Sequence, residues 1–334
     1  MTSTFRRPYF FELFIAANFL VIVYLGEREK FAVLGTFPAS ALATAATFLL
    51  YVIVGVAVRL LVASVRNEGR RYLQAITNSS WMLDTLRISA GGVVLIHTYA
   101  WIKLTVPHFH QRLFDQELWD LDQLLLFGFS PNVLFLDLFS AKWALSFIDW
   151  SYAKIFFTSM LLTFAFFMSE PHRRIRVAFM SGNALLWIMG AWLYLLVPSL
   201  GPVFRFPDLW LRYAHDLKTT QYFQVLLMRN YQNVLALSTD PRRAVSIAFG
   251  IAAFPSLHVA FQTFVFLWMR RLWTSGQVIF GVFMLVILLG SVVTGWHYLV
   301  DGYAGIALAA LVYLTTARAY RVPRALRLRR AVAK

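Results

Sequence analysis

Long apolar runs, separated by short polar and basic turns, dominate this 334-residue chain. Several runs reach the roughly 18 residues, almost free of charge, that a helix needs to cross the hydrocarbon core of a bilayer. The pattern predicts an all-α integral membrane protein with about eight transmembrane helices. The predicted spans are residues 10–25, 39–61, 88–106, 152–168, 177–197, 252–269, 277–296 and 301–314.

Two stretches between the runs have a different pattern. Residues 107–150 mix acidic and aromatic side chains with the breakers Gly128 and Pro131, which indicates short amphipathic helices at the membrane surface. Residues 198–250 form a long polar segment with many aromatics. We interpret the organisation as an accessory transmembrane hairpin (1–70), a six-helix membrane core (85–315) and a basic cytoplasmic tail (318–334).

The distribution of charge predicts the membrane topology of these helices. The formal net charge is +15, and the chain has no cysteine, which excludes disulfides and thiolate metal sites. With the N-terminus in the cytoplasm, the segments on that side carry 19 Lys and Arg against four acidic residues, whereas the opposite segments carry twelve of each. The positive-inside rule therefore predicts eight spans with both termini cytoplasmic. The same distribution explains the positive charge without a nucleic-acid partner.

Two polar motifs stand at the ends of apolar runs near the C-terminus. Residues 254–258 read Phe-Pro-Ser-Leu-His, and residues 291–301 read Ser-Val-Val-Thr-Gly-Trp-His-Tyr-Leu-Val-Asp. The predicted topology places the start of the sixth span, the end of the seventh and the start of the eighth on the outer face. We therefore expect His258, His297 and Asp301 to meet at one membrane surface.

These residue types favour phosphoryl transfer. On a continuous helix, Asp301 shares a face with His297 and can accept one imidazole N–H, which leaves the other nitrogen as a nucleophile. His258 can supply the proton that a leaving oxygen needs. Pro255 is favoured in a first helical turn, and Ser256 with the free N–H groups behind it predicts an anion site. A metal held by the two histidines and the aspartate is the alternative.

A phosphate also needs cationic contacts, for which guanidinium groups are well suited. The polar segment after the fifth span supplies them. Arg205 and Arg243 are the first candidates, with Arg242 beside the second, and Tyr298 next to His297 is a further predicted substrate contact.

The two motifs resemble the second and third motifs of the type 2 phosphatidic acid phosphatase superfamily. The Pro-Ser-Leu-His form is closest to the branch that contains inositol phosphorylceramide synthases, and residues 121–128 and 197–202 resemble segments of that branch. The resemblance covers about residues 85–315. It implies His297 as nucleophile, Asp301 as its orienting partner and His258 as general acid, with the reaction at the outer leaflet and no metal or other cofactor.

The chain departs from the superfamily pattern at two points. The usual first motif, a lysine followed by Arg-Pro, is not present, and Val292 occupies the arginine position of the third motif. These departures fit the transferase branch, and we expect the groups that hold the phosphate between Gly201 and Arg243.

The predicted function is a membrane phosphotransferase. It moves a phosphoryl group or a phospho-headgroup, such as inositol phosphate, from a membrane lipid to an alcohol or a lipid hydroxyl. With water as acceptor, the same site is that of a lipid phosphate phosphatase. A non-catalytic lipid binder or a transporter is the second alternative.

Overall fold

Helices are the only regular secondary structure in residues 7–238 and 243–323, which the computed structural model describes. The all-α prediction is thereby confirmed. Arg242 and the predicted basic tail beyond residue 323 lie outside the described residues. In chain order the α-helices are α1 (Phe10–Glu29), α2 (Val33–Val65), α3 (Gly69–Ile76), α4 (Ser79–Phe109), α5 (Asp115–Leu125), α6 (Pro131–Leu138), α7 (Lys142–Met168), α8 (Arg173–Leu196), α9 (Pro202–Arg205), α10 (Asp208–Leu211), α11 (Lys218–Leu235), α12 (Leu257–Leu272), α13 (Gly276–Val293) and α14 (Leu299–Ala319).

Six of the described helices are long and apolar enough to cross a membrane: α1, α2, α7, α8, α13 and α14. They correspond to six of the eight predicted spans. The third predicted span lies within α4, and the sixth lies largely in α12, which has 16 residues because it begins only at Leu257. The chain is therefore that of a multi-pass membrane protein.

The chain divides into two compact units, and the first comprises Met1–Tyr99, Leu161–Ile188 and Thr316–Val322. Its polar contacts centre on the turn between α7 and α8. The Glu170 carboxylate binds Arg59 of α2 at 2.8 Å, and its carbonyl accepts the indole N–H of Trp81 of α4 at 3.0 Å. These polar groups are therefore paired inside a largely apolar unit, as a bilayer-embedded protein requires.

The second unit comprises Ala100–Met160, Met189–Thr315 and Pro323–Lys334. It contains all the predicted site residues that the structure describes. A buried apolar cluster packs α6, α7, α9, α10 and the residue before α11 around the end of α13, so the short helices surround the turn that leads into α14. Its members are Leu136, Leu145, Val203, Trp210, Leu217 and Val293.

Two glycines shape this turn and the helix that follows it. Gly295 adopts φ +75°, and a Cβ at this position would collide with the ring of Trp210. Further along, α14 crosses α12 so closely at Gly305 that a Cβ would lie 2.5 Å from the Ser256 carbonyl oxygen. The Ser256 N–H donates to the Asp301 carbonyl at 3.0 Å. The helices that carry the two motifs therefore meet near their N-terminal ends.

Candidate active site

The structure brings His258, His297 and Asp301 together in the second unit. Nδ1 of His297 lies 3.3 Å from Oδ2 of Asp301, and the ring centroids of the two histidines are 5.9 Å apart. His297 is only 4% exposed and Asp301 is fully buried. In the described ranges, no group of three His, Cys, Asp or Glu side chains is arranged to hold a metal ion.

The contact between His297 and Asp301 does not form on a continuous helix, in contrast to the expectation from their spacing. His297 lies in the turn before α14, and Asp301 lies in the first turn of that helix. Oδ2 of Asp301 also accepts the backbone N–H of Tyr298 at 3.0 Å. Its Oδ1 atom has no hydrogen-bond partner among the described residues. A distance of 3.3 Å is slightly long for an N–H···O bond, so Asp301 retains capacity to tighten its hold on the ring.

His297 is neutral in this environment. Burial, followed by the positive charge of Lys103, lowers the pKa of the imidazole below its usual range. The backbone carbonyl of Ala253 acts on this pKa in the opposite direction. A neutral imidazole held by an aspartate on Nδ1 is the form in which histidine acts as a nucleophile through Nε2.

Aromatic side chains of α7 hold His258. The ring of Phe156 lies edge-on at 4.4 Å between centroids, and the ring of Tyr152 lies at 5.8 Å. The His258 ring makes no hydrogen bond to any described residue, so both nitrogens are available. The buried Tyr152 hydroxyl likewise has no partner among the described residues.

Lys103 is a functional candidate that the motif search missed. It belongs to α4, and its ammonium group interacts electrostatically with both His258 and His297. Its Nζ atom lies 5.8 Å from the centroid of the Tyr194 ring, and no carboxylate pairs with it in the described part of the chain. A charge inside a predicted span was the available signal, because such groups are expensive in a membrane and are functional by default.

The start of α12 offers backbone N–H groups to an anion, whereas the Ser256 hydroxyl is already engaged in capping the helix. Ser256 is fully buried, and its Oγ atom accepts the N–H of Val259 as an N-cap. Pro255 lies before the helix, so its expected place in the first turn is wrong. The N–H groups of Leu257 and His258 donate to no other described residue, and they are free to meet an anion.

The predicted arginines lie in different surroundings. Arg205 ends the short helix α9, is exposed, and interacts electrostatically with Tyr298, the residue after His297. Arg243 is exposed and contacts Asn233 of α11 at 3.5 Å. Arg205 therefore has an interaction at the turn that carries His297.

Three buried side chains from α5 and α6 hold the turn that carries His297, and the motif search missed all of them. Asp115 accepts a hydrogen bond from the Tyr298 hydroxyl at 2.9 Å. The hydroxyl that was predicted to contact substrate is therefore already bonded within the protein. Asp122 accepts the N–H groups of Leu299 and Val300, at 2.7 and 2.8 Å. Asn132 donates to the carbonyls of Val292 and His297, at 2.8 and 3.1 Å.

Fold and site together define a multi-pass helical membrane protein with a histidine–carboxylate centre. The family profile of the PAP2 superfamily matches residues 116–315, a region that includes both histidine motifs. The chain belongs to the PAP2 superfamily. Membership indicates phosphatase or phosphotransferase activity on lipid phosphates. No curated protein and no solved structure matches the chain.

Proposed function

We propose that this chain is a membrane phosphotransferase that passes a phosphoryl group or a phospho-headgroup from a lipid to a hydroxyl acceptor through a phosphohistidine at His297. One observation carries the proposal. The ring centroids of His258 and His297 lie 5.9 Å apart, and Nδ1 of His297 faces the Asp301 carboxylate. Donor and acceptor meet at the outer leaflet, in keeping with the charge distribution of the sequence.

The first step forms a bond between Nε2 of His297 and phosphorus and breaks the bond from phosphorus to the leaving oxygen. His258 gives its proton to that oxygen, which departs as a neutral alcohol. Bound phosphate places negative charge beside His258 and so favours its protonated form. Asp301 stabilises the positive charge that develops on His297 during attack.

The second step regenerates the enzyme. The acceptor hydroxyl gives its proton to His258, its oxygen attacks phosphorus, and the bond between phosphorus and Nε2 breaks. When the acceptor is an alcohol on a lipid or polyol, the product is a new phosphoester. When the acceptor is water, the product is the free phosphate or phosphomonoester.

Groups at the site can hold the phosphate oxygens during both steps. Lys103 supplies a positive charge that acts on both histidines, and no carboxylate of the described chain neutralises it. The N–H groups of Leu257 and His258 lie at the start of α12, where the helix dipole also favours an anion. Arg205 supplies a further cation near Tyr298.

Burial of the centre favours transfer over hydrolysis. His297 and Asp301 are almost completely enclosed, and Phe156 packs directly on His258. Exclusion of bulk water protects a reactive intermediate from hydrolysis. A hydroxyl delivered by a bound lipid or polyol therefore has an advantage over water.

The identity of the acceptor is tested with donor lipids labelled at phosphorus. Purified protein in lipid nanodiscs is incubated with a panel of labelled phospholipids, with and without inositol or a lipid alcohol as acceptor. We expect the label to appear in a new phosphoester that requires the added alcohol. Label released only as free phosphate or headgroup phosphate would establish the phosphatase alternative, and no turnover of any donor would favour the lipid-binding class.

Replacement of Lys103 by methionine tests the phosphate site. Methionine keeps the unbranched shape and removes the charge, so kcat/KM should fall by about 10²–10³-fold, the usual effect of losing one oxyanion-stabilising group. Lys103→Arg should retain part of the activity. The matched control is Lys154→Met, because Lys154 is an exposed lysine on the apolar helix α7. Activity of Lys103→Met within about threefold of wild type would contradict the assignment.

A further inference from the structure

A carboxylate on α5 occupies the N-terminus of α14. The side chain of Asp122 is 1% exposed, and its two oxygens each accept one backbone N–H, from Leu299 and Val300. The preceding N–H, that of Tyr298, donates to Asp301. Three consecutive N–H groups at the start of the helix are therefore satisfied by two carboxylates, which leaves this helix end closed to phosphate.

This cap acts on the part of the chain that carries the chemistry. The two N–H groups that Asp122 binds lie between His297 and Asp301 in the sequence. Their positions fix the first turn of α14, and thereby the direction in which the Asp301 side chain leaves the helix. Burial raises the pKa of the Asp122 carboxyl to about 6, so it is mostly ionised at pH 7 and can accept both bonds.

We propose that Asp122 is a positioning residue, whose bidentate hold on the first turn of α14 keeps Asp301 directed at Nδ1 of His297. The inference rests on the proposed function, in which that contact orients the nucleophile. Asp122 does not touch the reacting atoms. It sets the geometry of a pair whose separation of 3.3 Å leaves little room for displacement before the hydrogen bond is lost.

Asparagine cannot replace the carboxylate in this role. Its side chain offers one acceptor oxygen and one NH₂ donor, so one of the two N–H groups would face another donor. Glutamate keeps the charge but adds a methylene, so its carboxylate cannot occupy the position in which the shorter side chain fits the helix end. Displacement of a reacting group by about 1 Å can cost about 100-fold in rate.

The test compares Asp122→Asn and Asp122→Glu with Asp149→Asn. Asp149 is a matched control, because it is also buried and also caps a helix end, accepting the N–H groups of Thr219 and Thr220 at the start of α11. Both Asp122 variants should lower kcat by about 10- to 100-fold with KM changed less than about threefold. Asp149→Asn should lower the Tm by a similar amount and leave kcat unchanged.

A double-mutant cycle separates positioning from simple destabilisation. If Asp122 acts through Asp301, then Asp122→Asn should lower kcat less than about threefold in an Asp301→Asn background, since the partner that it positions is already lost. In the same background, Asp149→Asn should behave as it does in the wild type. Independent, multiplicative losses from the two aspartates would overturn the proposal, as would a wild-type kcat in Asp122→Glu.

A single-turnover labelling experiment distinguishes failure of the positioning role from failure of the proposed function on which it rests. Transfer of label from donor to protein in a single turnover is followed in parallel for wild type and variants. Absence of labelled protein in the wild type would refute the phosphohistidine route itself. Labelled wild type together with an unchanged labelling rate in Asp122→Asn would refute only the positioning role.

Discussion

Replacing His297 by alanine is expected to abolish phosphoryl transfer while the protein remains folded. The imidazole of His297 is the only protein group in the proposed route that forms a bond to phosphorus, and its loss leaves only acid–base catalysis, binding and charge stabilisation. Removal of a nucleophile that works with a base and an orienting carboxylate costs about 10⁴-fold or more in kcat. The fold should survive, because the hydrogen bonds from α5 and α6 that hold the turn reach the Tyr298 side chain and backbone groups, including the His297 carbonyl, whereas the His297 ring bonds to Asp301.

The decisive measurement is the fate of the label on the protein. Wild-type protein quenched during turnover should carry phosphorus in a linkage that is stable to base and labile to acid, as a phosphohistidine is, whereas His297→Ala should carry none. His215→Ala is the control, because the His215 side chain is 76% exposed and contacts only Asp216 in the described structure. Labelled protein or near-normal turnover in His297→Ala would rule out this residue as the nucleophile.

Replacing His258 by alanine is expected to slow transfer from a natural lipid donor by about 10²–10⁴-fold, the usual contribution of a general acid. A lipid alcohol is a poor leaving group unless its oxygen is protonated as the bond breaks. A donor with a nitrophenol leaving group does not need that proton. The loss in the labelling half-reaction should therefore shrink to less than about tenfold on the activated donor.

The comparison between the two histidines makes this result specific. An activated leaving group cannot compensate for a missing nucleophile, so His297→Ala should be inactive with both donors. Should His258→Ala be slowed equally with both donors, the residue would not protonate the leaving group, and a role in binding phosphate would be the better explanation of its position beside Lys103.

The all-α fold and its spans could be predicted from the sequence because a bilayer imposes a local rule. Each span must satisfy its own backbone within one helix, so length and hydropathy suffice to find most of them. The third and sixth spans were harder to delimit, since α4 begins nine residues before the predicted span and α12 begins five residues after. Polar residues, among them Lys103 of α4 and His258 of α12, interrupt the apolar pattern in these two helices.

The histidines and Asp301 could be found because motif residues lie close in sequence and have distinctive chemistry. Their supports could not, because Asp115, Asp122 and Asn132 reach the site across 165 to 183 residues of chain. Neither the periodicity of the sequence nor the spacing of its motifs predicts a contact over such a separation. Lys103 differs, because a charge in an apolar run is visible in the sequence, whereas the predicted phosphate contacts were the arginines of the polar segment after the fifth span.

The distance in sequence between Asp122 and its partners has a consequence for how the protein is made. Leu299 follows Asp122 by 177 residues, which at about 5–20 residues per second is roughly 9–35 s of synthesis. During that interval the Asp122 carboxylate exists without the helix end that it will cap. The turn that carries His297 is thus held in place only late in synthesis, and a chain released before α14 lacks both Asp301 and the helix end that Asp122 binds.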